Sequence, residues 1–422
     1  MSNGAILLDE LMIDILSRLP AKSLCRFKCV SKSWFALISS PHFAKTHLNR
    51  SNNNKCEKVL LSSDSLDSLY SIDCTETSIN DDVIATKLDF PKIEHPDLLN
   101  YILASCNGLV LVSDEDYTKF LLNPSTGESK KLPNFLFVVD SSPLCCMYGI
   151  GYDSAADNYK VVAVSYYAKN SDNDDDYDYD YDDDDIDDCD DDYDYGGDDD
   201  DYIDNCDDDY DYGENESHLS FPKTVKPIVL IHLRTQDFPY NNSPLMPHSA
   251  VFVNGSIHWL TFKCSDKSLV IAAFDVSEEK FRDILAPSSF EECNISSDLG
   301  VLGGCLCKLV CDSDSQADLW VMKEYGVTES WTKFTISLPT YNVEPLCLLP
   351  DREVLLEMDG DKLVAYNAKE KRLRYIMVHG MPTTFDAVMS YVESIVSPYY
   401  HWIERKFKKG ENSRGSSTIQ AT

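Results

Sequence analysis

The feature that most constrains this 422-residue chain is a loose repeat of short strands set between polar turns. From residue 58 to about 385 the sequence runs in stretches of strand length, among them KVLLSS, GLVLVS, YKVVAVSYY, SIHWLTF and SLVIAAFDV, rich in Val, Leu, Ile and aromatics. Turn signals separate them at Asn107-Gly108, Asn123-Pro124, Asn254-Gly255, Gly303-Gly304 and Asp359-Gly360. Polar turns recur near Thr235, Ser277, Gly326 and Ala368, at intervals of 42, 49 and 42 residues. Four strands in roughly 40–50 residues is the period of a propeller blade. The pattern predicts an all-β propeller of about six blades over residues 58–403. The late segment AVMSYVESIVS is expected to complete the first blade and so remove open sheet edges. A pair of sandwich sheets is the rival, which the long regular array disfavours.

The chain before residue 58 has a different period. Leu8, Leu11, Met12, Ile15, Leu16 and Leu19 recur at the spacing of one helical face, and Pro20 ends the run. A short second run carries Leu24, Phe27, Cys29 and Val30. Ser31 is placed to cap a third helix holding Trp34, Leu37 and Ile38, which Pro41 is expected to stop. Three amphipathic helices in about forty residues cannot bury this much apolar surface among themselves, so they need something to dock against. A helical cap on the following domain and a module for an outside partner both satisfy that need.

The residues separate these two. The strings Asp9-Glu10-Leu11, Ile15 to Leu24 (ILSRLPAKSL), Arg26 to Trp34 (RFKCVSKSW) and Leu37-Ile38 resemble the two halves of an F-box motif. Leu8 stands where most of that family carries Pro; Asp9 beside it is itself a favoured N-cap. The resemblance implies docking on a Skp-type adaptor and, through it, membership of a cullin/RING ubiquitin ligase. It assigns Leu8, Ile15, Leu16, Leu19, Pro20, Leu24 and Val30 as adaptor anchors, with Trp34 bracing the third helix and its edge at the interface. Farther along, LLNPSTGESKKLP, GIGYDSAADNYKVV, VNGSIHWL, FDVSEEKF and LWVMKEYGVTESWTKFTI resemble the F-box-associated or kelch-like propeller of a large plant family. That family includes S-locus F-box proteins and F-box proteins that control immune-receptor levels. The expected organisation is therefore docking helices over 1–48, a polar linker over 49–57, the propeller over 58–403 and a flexible tail over 404–422.

Charge enters at one place. The formal net charge is −35, but residues 170–217 hold 27 Asp and Glu, eight Tyr and no Lys or Arg; the other residues carry 45 acids against 37 bases, about −8. Such a segment cannot bury enough apolar surface to order itself, which predicts a disordered insertion hanging from one blade. It reads either as a tolerated solvated loop or as an electrostatic lure for a basic substrate. No basic stripe suggests nucleic acid. The fifteen cysteines lack zinc-ligand spacing and read as buried thiols of a reducing compartment. Without a signal peptide or an apolar run of membrane-spanning length, the expected location is cytosolic or nuclear, with no membrane partner.

Catalytic chemistry is not legible. The nine histidines sit in no nucleophile motif, and His258 beside Trp259 reads as a packed residue. No cofactor or metal site is expected. The resemblance then implies a non-catalytic substrate receptor whose propeller loops bind a protein; within that family a basic S-ribonuclease-like protein and an immune receptor are the leading candidate substrates, a housekeeping regulator being equally open. A propeller enzyme capped by the helices and a non-degradative scaffold are the alternatives.

Overall fold

The computed structural model describes residues 3–54, 57–63, 68–74, 82–91, 93, 101–114, 118–133, 145–166, 228–235, 240–241, 249–263, 265–290, 299–311, 316–338, 343–380, 385–399 and 402–406. The expectations for the acidic insertion 170–217 and the tail beyond 406 lie outside these residues.

Four helices open the chain, not three. They are α1 (Asn3–Leu16), α2 (Ala21–Phe27), α3 (Lys32–Ile38) and α4 (Pro41–Asn54). The Ser31 hydroxyl caps α3 by accepting from the Trp34 N–H at 3.2 Å. Pro41 does not merely stop α3; it is the first residue of α4, where its fixed φ suits a helix start, and the Ser40 hydroxyl accepts the Phe43 N–H at 3.2 Å. The expected linker is therefore helical as far as Asn54. Its polar string NRSNNN forms the last turns of a helix that buries Phe43, His47, Leu48 and Ser51 on one side.

Strands follow in a propeller-like arrangement of mostly four-stranded sheets. β1 (Glu57–Ser63) pairs with β2 (Leu69–Asp73), which is flanked by the short β4 (Thr86–Lys87). On its other side β1 pairs with β25 (Phe385–Val392), so the C-terminal segment does close the first sheet. β5 (Tyr101–Cys106), β6 (Leu109–Ser113), β7 (Lys119–Asn123) and β8 (Glu128–Lys131) form an antiparallel meander. A second consists of β13 (Ala250–Val253), β14 (Ser256–Lys263), β15 (Leu269–Asp275) and β16 (Lys280–Leu285), with β12 (Tyr240–Asn241) on β14. β9 (Cys145–Asp153), β10 (Asn158–Tyr166), β11 (Ile228–Thr235) and β26 (Trp402–Lys406) make another sheet. So do β17 (Gly300–Leu302), β18 (Cys305–Cys311), β19 (Gln316–Met322) and β20 (Trp331–Ser337). The last holds β21 (Val343–Leu348), β22 (Val354–Met358), β23 (Lys362–Asn367) and β24 (Arg372–His379), with β3 (Asp82–Ile84) added in parallel at its edge. The described strands make five hydrogen-bonded sheets rather than six, because β5 and β13 pair in parallel and merge their meanders into one sheet of nine strands.

Burial explains the alternation of apolar and polar strings. β6, β7 and β22 are buried along their whole length, whereas the outer β16 is mostly exposed. A middle strand is covered on both faces and reads as a continuous apolar run; an outer strand meets water. Three two-residue hairpins fall at Asn107-Gly108, Asn254-Gly255 and Gly303-Gly304, both central residues taking positive φ as a type I′ turn requires. Asn123, Asp153, Asp275 and Asn367 each end a strand and turn the side-chain oxygen onto backbone N–H groups two and three residues on. A residue of positive φ closes each of these loops four positions later. This capped turn is the physical content of the repeat.

Candidate docking site on the N-terminal helices

The helices have a core of their own. Leu16, Ala21, Leu24, Ile38 and Phe43 pack together with Ile395, and Met12, Leu19, Phe27, Trp34 and Leu37 lie against them. Two of the residues assigned as anchors lie inside this core. Leu16 is 2% exposed and Leu24 0%, so both hold the helices to one another and offer no area to a partner. Leu19 is half-buried, and its carbonyl accepts the His47 Nε2–H at 3.0 Å, so it too serves the internal packing. Trp34 is half-buried with its ring edge-on to Phe27 at 5.5 Å. Leu8 lies on α1, and its side chain is outside the described residues.

A second apolar face remains outside that core. Ile15 is 56% exposed and Val30 62%, and Pro20 is exposed as well. Leu11, one turn before Ile15 on α1, is 53% exposed, and Phe35 on α3 is 56%. Phe35 was not foreseen, since beside Trp34 it breaks the helical spacing of the inner face; its signal was a large aromatic with no inner position to fill. Four of the twelve large hydrophobics exposed among the described residues thus fall between residues 11 and 35. Asp14 ties the module together by accepting from Arg18 at 2.9 Å and from Arg50 of α4; the Arg50 hydrogen bond chiefly holds its carboxyl below the ordinary range.

The face is held on the propeller by the extended strap 393–396 that follows β25. Its residues alternate, as an extended chain must. Glu393 and Ile395 turn to the helices: the Glu393 carboxylate accepts the Ala21 N–H at 2.8 Å, capping α2 where Pro20 offers no side-chain acceptor, and Ile395 enters the helical core. Ser394 and Val396 turn to the propeller, where the Asn123 amide donates to their carbonyls at 3.1 and 2.7 Å. A Cβ on Gly108 would lie 2.2 Å from the Ser394 Oγ, so the strap passes close enough to require glycine at that turn. Leu48 of α4 joins the largest propeller cluster, and Lys45 reaches Tyr152 at 3.3 Å and Asp157 at 3.7 Å.

A cavity of about 520 Å³ lies among the inner strands β5, β13, β17, β21 and β25, with Asn52 of α4 at its wall. His258 is buried with its Nε2 2.8 Å from the Tyr325 hydroxyl and its Nδ1 3.3 Å from the Val251 carbonyl; burial lowers its pKa to about 4. Among the described residues no group of three or more His, Cys, Asp or Glu is placed to hold a metal ion. No described helix is long and apolar enough to cross a membrane.

A small helical module seated on a propeller-like array of sheets is the architecture of a substrate receptor. The chain belongs to the F-box proteins that carry an F-box-associated β-propeller: residues 6–46 match the F-box domain, and residues 58–178 and 233–401 match F-box associated beta propeller domains. It is similar to F-box protein CPR1 of Arabidopsis thaliana, 28% identical over 98% of this chain and 95% of that protein. It is also similar to F-box/kelch-repeat protein At3g23880 (27%, covering 92% and 95%) and F-box protein At3g07870 (26%, covering 90% and 89%) of the same plant. TolB from Acinetobacter baumannii superposes with a TM-score of 0.36 at 8% identity, over 80% of this chain and 66% of that one, a likeness too low to specify the fold.

Proposed function

We propose that this chain is the substrate-recognition subunit of an SCF-type ubiquitin ligase, its helices docking a Skp-type adaptor and its propeller binding a protein to be ubiquitinated. The observation that carries the reading is that Leu11 and Ile15 on α1, Val30 in the turn after α2 and Phe35 on α3 stay exposed beside a buried helical core. Fully burying such side chains contributes about 1.5–3 kcal/mol each, enough for a few of them to dominate an interface. Ubiquitin transfer belongs to the other subunits, and this chain supplies affinity and geometry, in the cytosol or nucleus. Pull-down of the adaptor by the full chain, with and without charged substitutions on the outer face, tests it.

We read the ring as six blades. The nine-stranded sheet divides at its parallel joint into two four-stranded meanders, and β25, β5, β9, β13, β17 and β21 each lead a group of four. In this reading the substrate meets the face remote from the helices. The hairpin between β9 and β10 touches Lys45, and β10 runs from there over nine residues, about 30 Å, to Tyr166. The 27 carboxylates of residues 170–217 would favour a basic substrate.

A further inference from the structure

Cys74 directly follows β2 in the first sheet, and Cys347 lies in β21 of the last, 273 residues away in sequence; their sulfurs are 3.8 Å apart. Both thiols are buried in one apolar cluster that spans the two sheets, with Val59, Leu61, Leu346 and Leu355 among its members. The bulge in β21 between Pro345 and Cys347 matters here. A bulge re-aims side chains out of strict alternation, and here Leu346 and Cys347, neighbours in sequence, both enter the same cluster. Cys74 sits just beyond a strand end, where the backbone is less constrained than within a ladder. Two sulfurs in van der Waals contact, one on a strand end and one on a bulge, need a shift of under about 2 Å to reach bonding distance.

We propose that Cys74 and Cys347 are a peroxide-responsive modification site that forms a reversible disulfide across the seam between the first and last sheets. One thiol is oxidised by hydrogen peroxide to the sulfenic acid with release of water. The other sulfur then attacks it, forming the S–S bond and releasing a second water, so two thiols and one peroxide give one disulfide and two waters. A dithiol reductant reverses the change by exchange. Because both sulfurs are buried, the pair reacts when the seam opens, and the bond then prevents reopening. The first sheet also carries β25 and the strap that seats the helices, so the latch stiffens the side of the ring on which the F-box rests.

The test uses the full-length chain, reduced and then treated with hydrogen peroxide, alkylated and digested for mass spectrometry. The expected product is a peptide containing Cys74 linked to one containing Cys347, 2 Da lighter than the two thiol peptides together and lost on reduction. Closing a loop of this length should raise the melting midpoint by about 5 °C in the wild type. Neither Cys74→Ser nor Cys347→Ser should show that rise. Recovery of both cysteines as alkylated thiols or as separate oxidised species after prolonged exposure overturns the proposal, as does an equal rise in Cys74→Ser. The linked-peptide readout uses wild-type protein and stands even if a variant fails to fold.

Discussion

Glu357 should make this protein lose stability as pH rises through neutrality. The side chain lies buried in β22, where its carboxylate accepts the Gly360 N–H at 2.5 Å. Burial is the chief cause of its pKa rising from the ordinary 4.5 to about 7; Asp359 and Asp361 add like charge, while the Gly360 N–H and Lys362 oppose the rise. Glu344 stands opposite it in the β21–β22 ladder. A carboxyl that holds its proton more tightly folded than unfolded contributes stability below 4.5, and this is lost as pH rises through about 7. At about 1.4 kcal/mol per tenfold change in proton affinity, the full loss is about 3 kcal/mol. About 2 kcal/mol of it develops between pH 5.5, above the isoelectric point near 4.4, and pH 8. Glu357→Gln keeps an acceptor for Gly360 without the charge. Its melting midpoint relative to wild type should therefore climb by about 3 °C between those two pH values, for a domain of this size. A difference between variant and wild type that does not change with pH refutes the assignment.

Other perturbations separate the helical core, its seat and the ring. Leu24→Ala should cost about 2–5 kcal/mol and lower the melting midpoint, whereas Ile15→Ala at its exposed site should stay within about 0.5 kcal/mol. Glu393→Ala removes the acceptor for the Ala21 N–H, a loss of about 1 kcal/mol, and should speed hydrogen exchange at the start of α2 roughly fivefold. Lys160 contacts Asp153 of its own sheet at 3.0 Å and Glu279 of a neighbouring one at 2.8 Å, so Lys160→Met should cost about 3–5 kcal/mol by removing the cation between two carboxylates, read by thermal melting. Replacing residues 172–214 by a short Gly/Ser turn should leave adaptor affinity unchanged. If those residues act as a lure, it should slow association with a basic substrate at low salt more than at moderate salt.

The parts of this architecture legible in the sequence are those with a short period. Asn-Gly and Gly-Gly announced the two-residue hairpins, and the 3.6-residue spacing announced α1 to α3, because both signals are local. α4 escaped because Pro41 carries one meaning as a helix end and another as a helix start, and Ser40 before it was not read as a cap. Inner and outer apolar positions on the helices are hard to tell apart for a related reason. A helix buried on one side and sticky on the other shows apolar residues at both sets of positions, and spacing alone does not say whether Leu16 or Ile15 faces in. That choice depends on Ile395 and Glu393, nearly 400 residues away along the chain. The parallel joint of β5 with β13 and the placing of β3 beside β24 are likewise non-local, and no short-range pattern encodes them.

The central claim is that the outer face of the helices, and not their shared core, recruits the adaptor. The direct measurement is the affinity of a Skp-type adaptor for the full chain carrying Ile15→Asp with Val30→Asp, beside wild type, with thermal melting run on both. Loss of two buried aliphatic anchors predicts binding weaker by more than about 100-fold at an unchanged melting midpoint. Wild-type affinity in the folded double variant would contradict the account.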